Sequence, residues 1–149
     1  MRRKAHLKRM ASIDQTIEDL ADEFALLPDW EERISHVIEL ARSLAPITDE
    51  ERIEENRVRG CVSRVWLVGE KHPDEPEKLF FRGDSDAHLV RGEIAMLLRI
   101  FSGRTPAEIL AVDPRAVFER LGLKEALTTQ RSNGLFSMMN RIQQQARDA

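Results

Sequence analysis

The chain has 149 residues, 42% hydrophobic and 33% charged, with a formal net charge of -3 and a single cysteine. That length buries a core for one domain unaided, while one cysteine excludes an internal disulfide and a cysteine-built zinc or cluster site. No apolar run approaches the roughly 20 residues that cross a bilayer, and the first residues lack the apolar stretch of a secretory signal. The expectation is a soluble, cytoplasmic protein in which any sulfur chemistry is thiol chemistry.

Charge is unevenly spread. Arg2, Arg3, Lys4, Lys8 and Arg9 hold five of the 23 basic residues, and no acid lies among them. Residues 1–11 read as a basic flexible tail on a single acidic domain, 12–149, a balance that argues against nucleic-acid and membrane partners.

Ser12 with Gln15 carries an N-capping signature, and Ile13, Ile17, Leu20, Phe24 and Leu27 recur at helical spacing until Pro28. Asp29 with Glu32 repeats it before Trp30, Ile34, Val37, Ile38, Ala41 and Leu44, the face of a second helix ending before Pro46. Val62 to Val68 suits a strand, residues 69–77 read as a turn, and Leu79 to Arg82 as the return strand. A third strand is expected near Arg57 to Gly60. Ser85 or Asp86 is expected to cap a central helix with Val90, Ile94, Leu97, Leu98 and Phe101 on its face, stopped by Gly103. Thr105-Pro106 and Asp113-Pro114 start two short helices, the second ended by Gly122. Ser132 is expected to cap the last, with Leu135, Met138, Met139 and Ile142 as its stripe. The pattern specifies an α+β fold, helices packed on a small antiparallel sheet.

Cys61 follows Gly60 where loop becomes strand. Arg57, Arg59 and Arg64 lie near it in sequence, and positive charge favours a thiolate. The residues alone leave two readings: a reactive thiol, or the inert buried cysteine common in cores. Arg131-Ser132-Asn133-Gly134 is either an anion-favouring helix start or an ordinary cap. Gly83-Asp84-Ser85-Asp86 fits a strand-to-helix turn. His6, His36, His72 and His88 show no metal-ligand spacing, and no phosphate loop or peptidase signature is present.

Four stretches together resemble the SufE family, which includes CsdE, over about Asp29 to Ala146. They are Asp29-Trp30-Glu31-Glu32-Arg33 through Leu44, Asn56 to Leu67 around Cys61, Gly83-Asp84-Ser85-Asp86-Ala87 with Val90-Arg91-Gly92, and Arg131-Ser132-Asn133-Gly134-Leu135. The resemblance implies an α+β unit similar to the IscU scaffold, with the active cysteine at a loop tip. It implies a sulfur acceptor: Cys61 receives persulfide sulfur from a SufS- or CsdA-like cysteine desulfurase, stimulates it, and supplies a downstream iron-sulfur scaffold. The pyridoxal phosphate belongs to the partner, and the chain is expected to need no cofactor or metal of its own and to be a monomer or weak homodimer. The alternative is an adaptor that regulates a desulfurase without carrying sulfur.

Within that reading Arg131 is expected to stabilise the sulfur anion. Gly60, Val62, Ser63, Asp84, Ser85 and Asp86 are expected to position the loop or contact the partner. Val62 stands where SufE proteins often carry Gln and CsdE-like ones Glu, so partner choice or the thiol's surroundings should differ here. Whether sulfur transfer alone makes the chain an enzyme is a matter of definition.

Overall fold

The computed structural model describes residues 11–149, so the tail expected at 1–11 lies, except for Ala11, outside the described residues. Helix α1, Ile13–Ala25, starts as its sequence specifies: the Ser12 hydroxyl accepts from the Gln15 N–H at 3.1 Å. It buries Ile13, Ile17, Leu20 and Phe24. Arg104, itself buried, ties this end of the chain down by donating to the Thr16 hydroxyl, the Ile100 carbonyl and the Ala11 carbonyl.

Helix α2, Trp30–Leu40, continues as a 3-10 turn over Ala41–Ser43. Its expected cap does not form, since the Asp29 side chain makes no capping bond. The entry is held instead by Arg33, which donates to the carbonyls of Leu27 and Gly122. The face is narrower than its apolar pattern suggests. Val37 is fully buried, but Trp30 and Ile38 are exposed.

Strands β1, Val65–His72, and β2, Glu75–Ser85, form one antiparallel hairpin with Val65 opposite Ser85 and His72 opposite Glu75. The hairpin is longer than its apolar runs indicate, and the turn shrinks from the expected 69–77 to Pro73-Asp74. Cross-strand pairs extend it: Arg82 joins Glu70, and the His72 ring stacks on Phe80 at 3.8 Å. The expected third strand reduces to a bridge from Arg57 to Trp66, with the Val58 N–H donating to Val65.

Helix α3, His88–Phe101, is the central pillar, burying Val90, Ile94, Met96, Leu97, Ile100 and Phe101. Neither expected residue caps it in the usual way. Ala87 holds the N-cap position and Asp86 is engaged by Arg64, leaving Ser85 to accept from the Ala87 N–H. Gly103, at φ 79°, turns the chain so that its N–H reaches the Leu79 carbonyl on β2.

Helices α4, Pro106–Leu110, and α5, Pro114–Leu121, begin at capped Thr105 and Asp113 as specified, and Gly122 in the left-handed region ends α5. Helix α6, Thr129–Asp148, begins earlier than a Ser132 cap would have it. The Thr128 hydroxyl accepts from the Arg131 N–H, and the Ser132 N–H is bonded to the Thr128 carbonyl. Gln143 on α6 donates to the carbonyls of Ile109 and Val112.

Helices α3 and α2 approach with backbone almost in contact. A methyl at Gly92 would run into the Val37 carbonyl, 2.6 Å from its carbon, and backbone on both sides leaves no way to yield. Gly92→Ala is therefore expected to lower the unfolding free energy by roughly 1–3 kcal/mol or more, seen as a lower urea midpoint. An unchanged midpoint would show that the two helices can separate freely.

Candidate functional site

Cys61 sits on the loop between the last 3-10 turn, Glu54–Asn56, and β1. The loop is pressed onto α6. Gly60 takes φ 87°, and a side chain there would be strained and would stand 2.5 Å from the Ser137 hydroxyl. Arg141 on α6 donates to the carbonyls of Glu55 and Arg57, fixing where the loop begins. Beyond the cysteine, the Asp86 carboxylate accepts from both the backbone N–H and the guanidinium of Arg64 at 3.1 Å. Both ends of the loop are thus tied to distant parts of the chain.

The half-buried Cys61 sulfur points at α6, where its thiol lies 3.7 Å from the Gly134 carbonyl. It borders a cavity of about 70 Å³ lined by Cys61, Val62, Ser63, Val90, Glu93, Gln130, Arg131, Gly134 and Met138. The fold therefore brings Arg131, distant in sequence, to the cysteine. Arg131-Ser132-Asn133-Gly134 offers no unpaired backbone N–H groups for this, since it lies inside the first turns of α6 with the Arg131 and Ser132 N–H groups bonded to Thr128, whereas Arg131 Nη1 is buried without a partner.

The other expected residues divide. Ser63 and Val62 line the cavity, with Val62 79% exposed at its rim. Asp84, Ser85 and Asp86 do not. Asp84 accepts from Arg52, Arg91 and the Ser85 N–H; burial opposes its charge, yet these donors hold the carboxyl below the usual carboxylate range. Arg64 does the same for Asp86. Arg59 pairs with Glu54 at the exposed surface.

Glu93 is absent from the residues singled out by sequence. It is 1% exposed, its Oε2 has no hydrogen-bond partner, and it faces the cavity from α3. Burial pushes its carboxyl up to about 8, with Arg131 the one charge that opposes the shift, so the side chain is largely neutral near pH 7. The sequence held a signal: Glu93 falls on the helical stripe through Val90, Ile94 and Leu97, where a carboxyl has no ordinary place. The Cys61 thiol is also pushed up, by burial first and by the Glu93 charge second, with Arg57 opposing. Among the described residues no cluster could hold a metal ion, and no helix is long and apolar enough to cross a membrane.

A carboxyl raised on folding favours the native state fully below its unfolded value of 4.5, and that advantage is lost as pH rises through about 8. Glu93→Gln, which cannot ionise, is expected to melt higher than the wild type at about pH 8.5 and nearly equally at about pH 4. A melting difference that does not change between these two conditions would show that Glu93 does not titrate in this range.

Residues 18–146 match the SufE family, described as an Fe-S metabolism associated domain. An uncharacterised SufE-like protein of Rhizobium etli is 47% identical over 139 residues, 93% of this chain and 91% of the relative. One of Rhizobium meliloti is 46% identical over 138 residues, covering 92% and 96%. The solution structure of a hypothetical protein from Thermus thermophilus has the same fold, with a TM-score of 0.73 over 90% of this chain and 95% of that one, at 24% identity. A match over most of the chain, with relatives near half identity, establishes that the protein belongs to the SufE family and is associated with Fe-S metabolism.

Proposed function

We propose that this chain is a sulfur acceptor: Cys61 takes persulfide sulfur from a SufS- or CsdA-like cysteine desulfurase, stimulates that enzyme by clearing its cysteine, and passes the sulfur to an iron-sulfur scaffold. The observation that carries this reading is the placement of the only cysteine, on a loop tied at both ends, beside a small cavity into which an arginine and a carboxyl are brought from two different helices. A cysteine serving only as core filling needs none of these polar neighbours.

The transfer is thiol exchange in form. The Cys61 thiolate attacks the terminal sulfur of the desulfurase persulfide, a new S–S bond forms at Cys61 as the old one breaks, and the desulfurase thiolate leaves with the electron pair. The desulfurase supplies its own pyridoxal phosphate. Arg131 offsets the charge of the sulfur anion, while Gly60 shapes the loop, Asp86 holds its far end through Arg64, and Asp84 and Ser85 order the turn that carries Asp86. The exposed Val62 belongs to the surface the partner meets.

At rest the thiol is neutral and half-enclosed, which protects it from oxidation and makes it a poor nucleophile. Partner docking must therefore expose or ionise it. The same observation is what favours an adaptor that never carries sulfur, and the two readings separate experimentally. After incubation with desulfurase and L-cysteine, intact mass is expected to rise by about 32 Da in the wild type, to be restored by dithiothreitol, and to stay constant in Cys61→Ser. No gain with a desulfurase that binds the chain would leave the adaptor. Iodoacetamide labelling of Cys61 is expected to accelerate when desulfurase is added, and equal rates would remove the gating step.

A further inference from the structure

Two buried polar atoms at the cysteine cavity lack partners: Glu93 Oε2 and Arg131 Nη1. Buried polar groups are nearly always satisfied, so two beside one reactive side chain call for an occupant. Arg131 can only donate. A carboxyl of raised pKa is largely protonated at neutral pH and carries an O–H, so Glu93 is a second donor. What two donors lack is an acceptor, and one next to a cationic guanidinium is best an anion.

Size narrows the choice. The cavity is about 70 Å³ and Cys61 is on its wall, whereas a water-sized occupant needs roughly 15 Å³. An added atom on Cys61 fits.

We propose that Glu93, as a neutral carboxylic acid, is a positioning residue that donates a hydrogen bond to the terminal sulfur anion of the Cys61 persulfide, sharing it with Arg131. This rests on reading Cys61 as a sulfur carrier and adds the group that holds the cargo. It also accounts for a carboxyl where a charge would repel sulfur: neutral, it attracts the anion, and burial keeps it neutral. The titratable and charged groups around Glu93 are few. Arg131 faces it from α6, while Cys61 and Arg57 belong to the cysteine loop. The carboxylates that α1 and β2 direct at α3, Glu23 and Asp84, are engaged by Arg99 and Arg91.

The experiment loads Cys61 chemically, so it is independent of any desulfurase. With inorganic polysulfide, the Cys61 thiolate attacks a sulfane sulfur, an S–S bond forms at Cys61, and the shortened polysulfide leaves with the electron pair of the broken bond. After desalting, the persulfide is titrated by its near-ultraviolet absorbance over about pH 4 to 7, where Glu93 stays mostly neutral. Glu93→Leu is expected to raise the persulfide pKa by about one unit, a tenfold loss of acidity, and Glu93→Gln, whose amide still donates, to remain near the wild type. Thermal melts confirm folding, and Glu93→Met replaces the Leu variant should it fail to fold.

An unchanged or lowered pKa in Glu93→Leu overturns the proposal, as does a Glu93→Gln value as high as that of Glu93→Leu. So does a native Cys61 that takes no sulfur from polysulfide when the denatured chain does. Failure of desulfurase-dependent transfer with a normal persulfide titration would overturn only the partner reaction.

Discussion

Helix α3 is buried on almost every side, and the rest of the molecule is arranged by what each of its faces will tolerate. Ile94, Leu97, Ile100 and Phe101 are each within a few per cent of complete burial, and removing such side chains from water contributes about 1.5–3 kcal/mol apiece. One face must then admit α2 without a Cβ in the way, which Gly92 supplies against the Val37 backbone. The next residue, Glu93, faces the cysteine cavity. Close helix packing and the polarity of the cavity are thus set by adjacent residues on one helix, and a shift of that helix would disturb both.

The cysteine loop is held in place by interactions that reach far along the chain. Arg141 grips its start from α6, Gly60 bends it onto Ser137, and Asp86 holds Arg64 just past the cysteine. A short loop would otherwise be the most mobile part of the molecule. Its sulfur is kept neutral in this setting because burial outweighs the nearby guanidinium of Arg57. The three arginines around Trp66, at 5.1 to 5.8 Å from its ring, belong to the same frame: Arg52, Arg57 and Arg64 each also pair with a carboxylate, so they brace the base of the loop. The cavity keeps Arg131 as its cation.

How far local sequence reaches is visible in the helix caps. Ser12, Thr105 and Asp113 cap as their spacing specifies, since the bond runs two or three residues along the chain and no distant group competes for the side chain. Asp86 has the same chemistry and does not cap, because a guanidinium 22 residues away claims its carboxylate. Ser132 loses to Thr128, which offers the same hydroxyl one turn earlier and extends the helix. The hairpin outgrew its apolar runs for a related reason: cross-strand pairs such as Arg82 with Glu70 have no period that a single strand displays.

The helices, the strand pair, the α+β class and the family are all legible along the chain, and the resemblance is enough to single out Cys61 and Arg131. Periodicity, capping and short motifs are local properties, and local properties are written in order along a sequence. Packing settled the remainder: Arg131 lines the same cavity as Cys61, Asp84 and Asp86 stay outside it, and Glu93 lies buried at its wall. Those outcomes depend on which groups lose water together, and burial is a property of the packed molecule that no single segment carries.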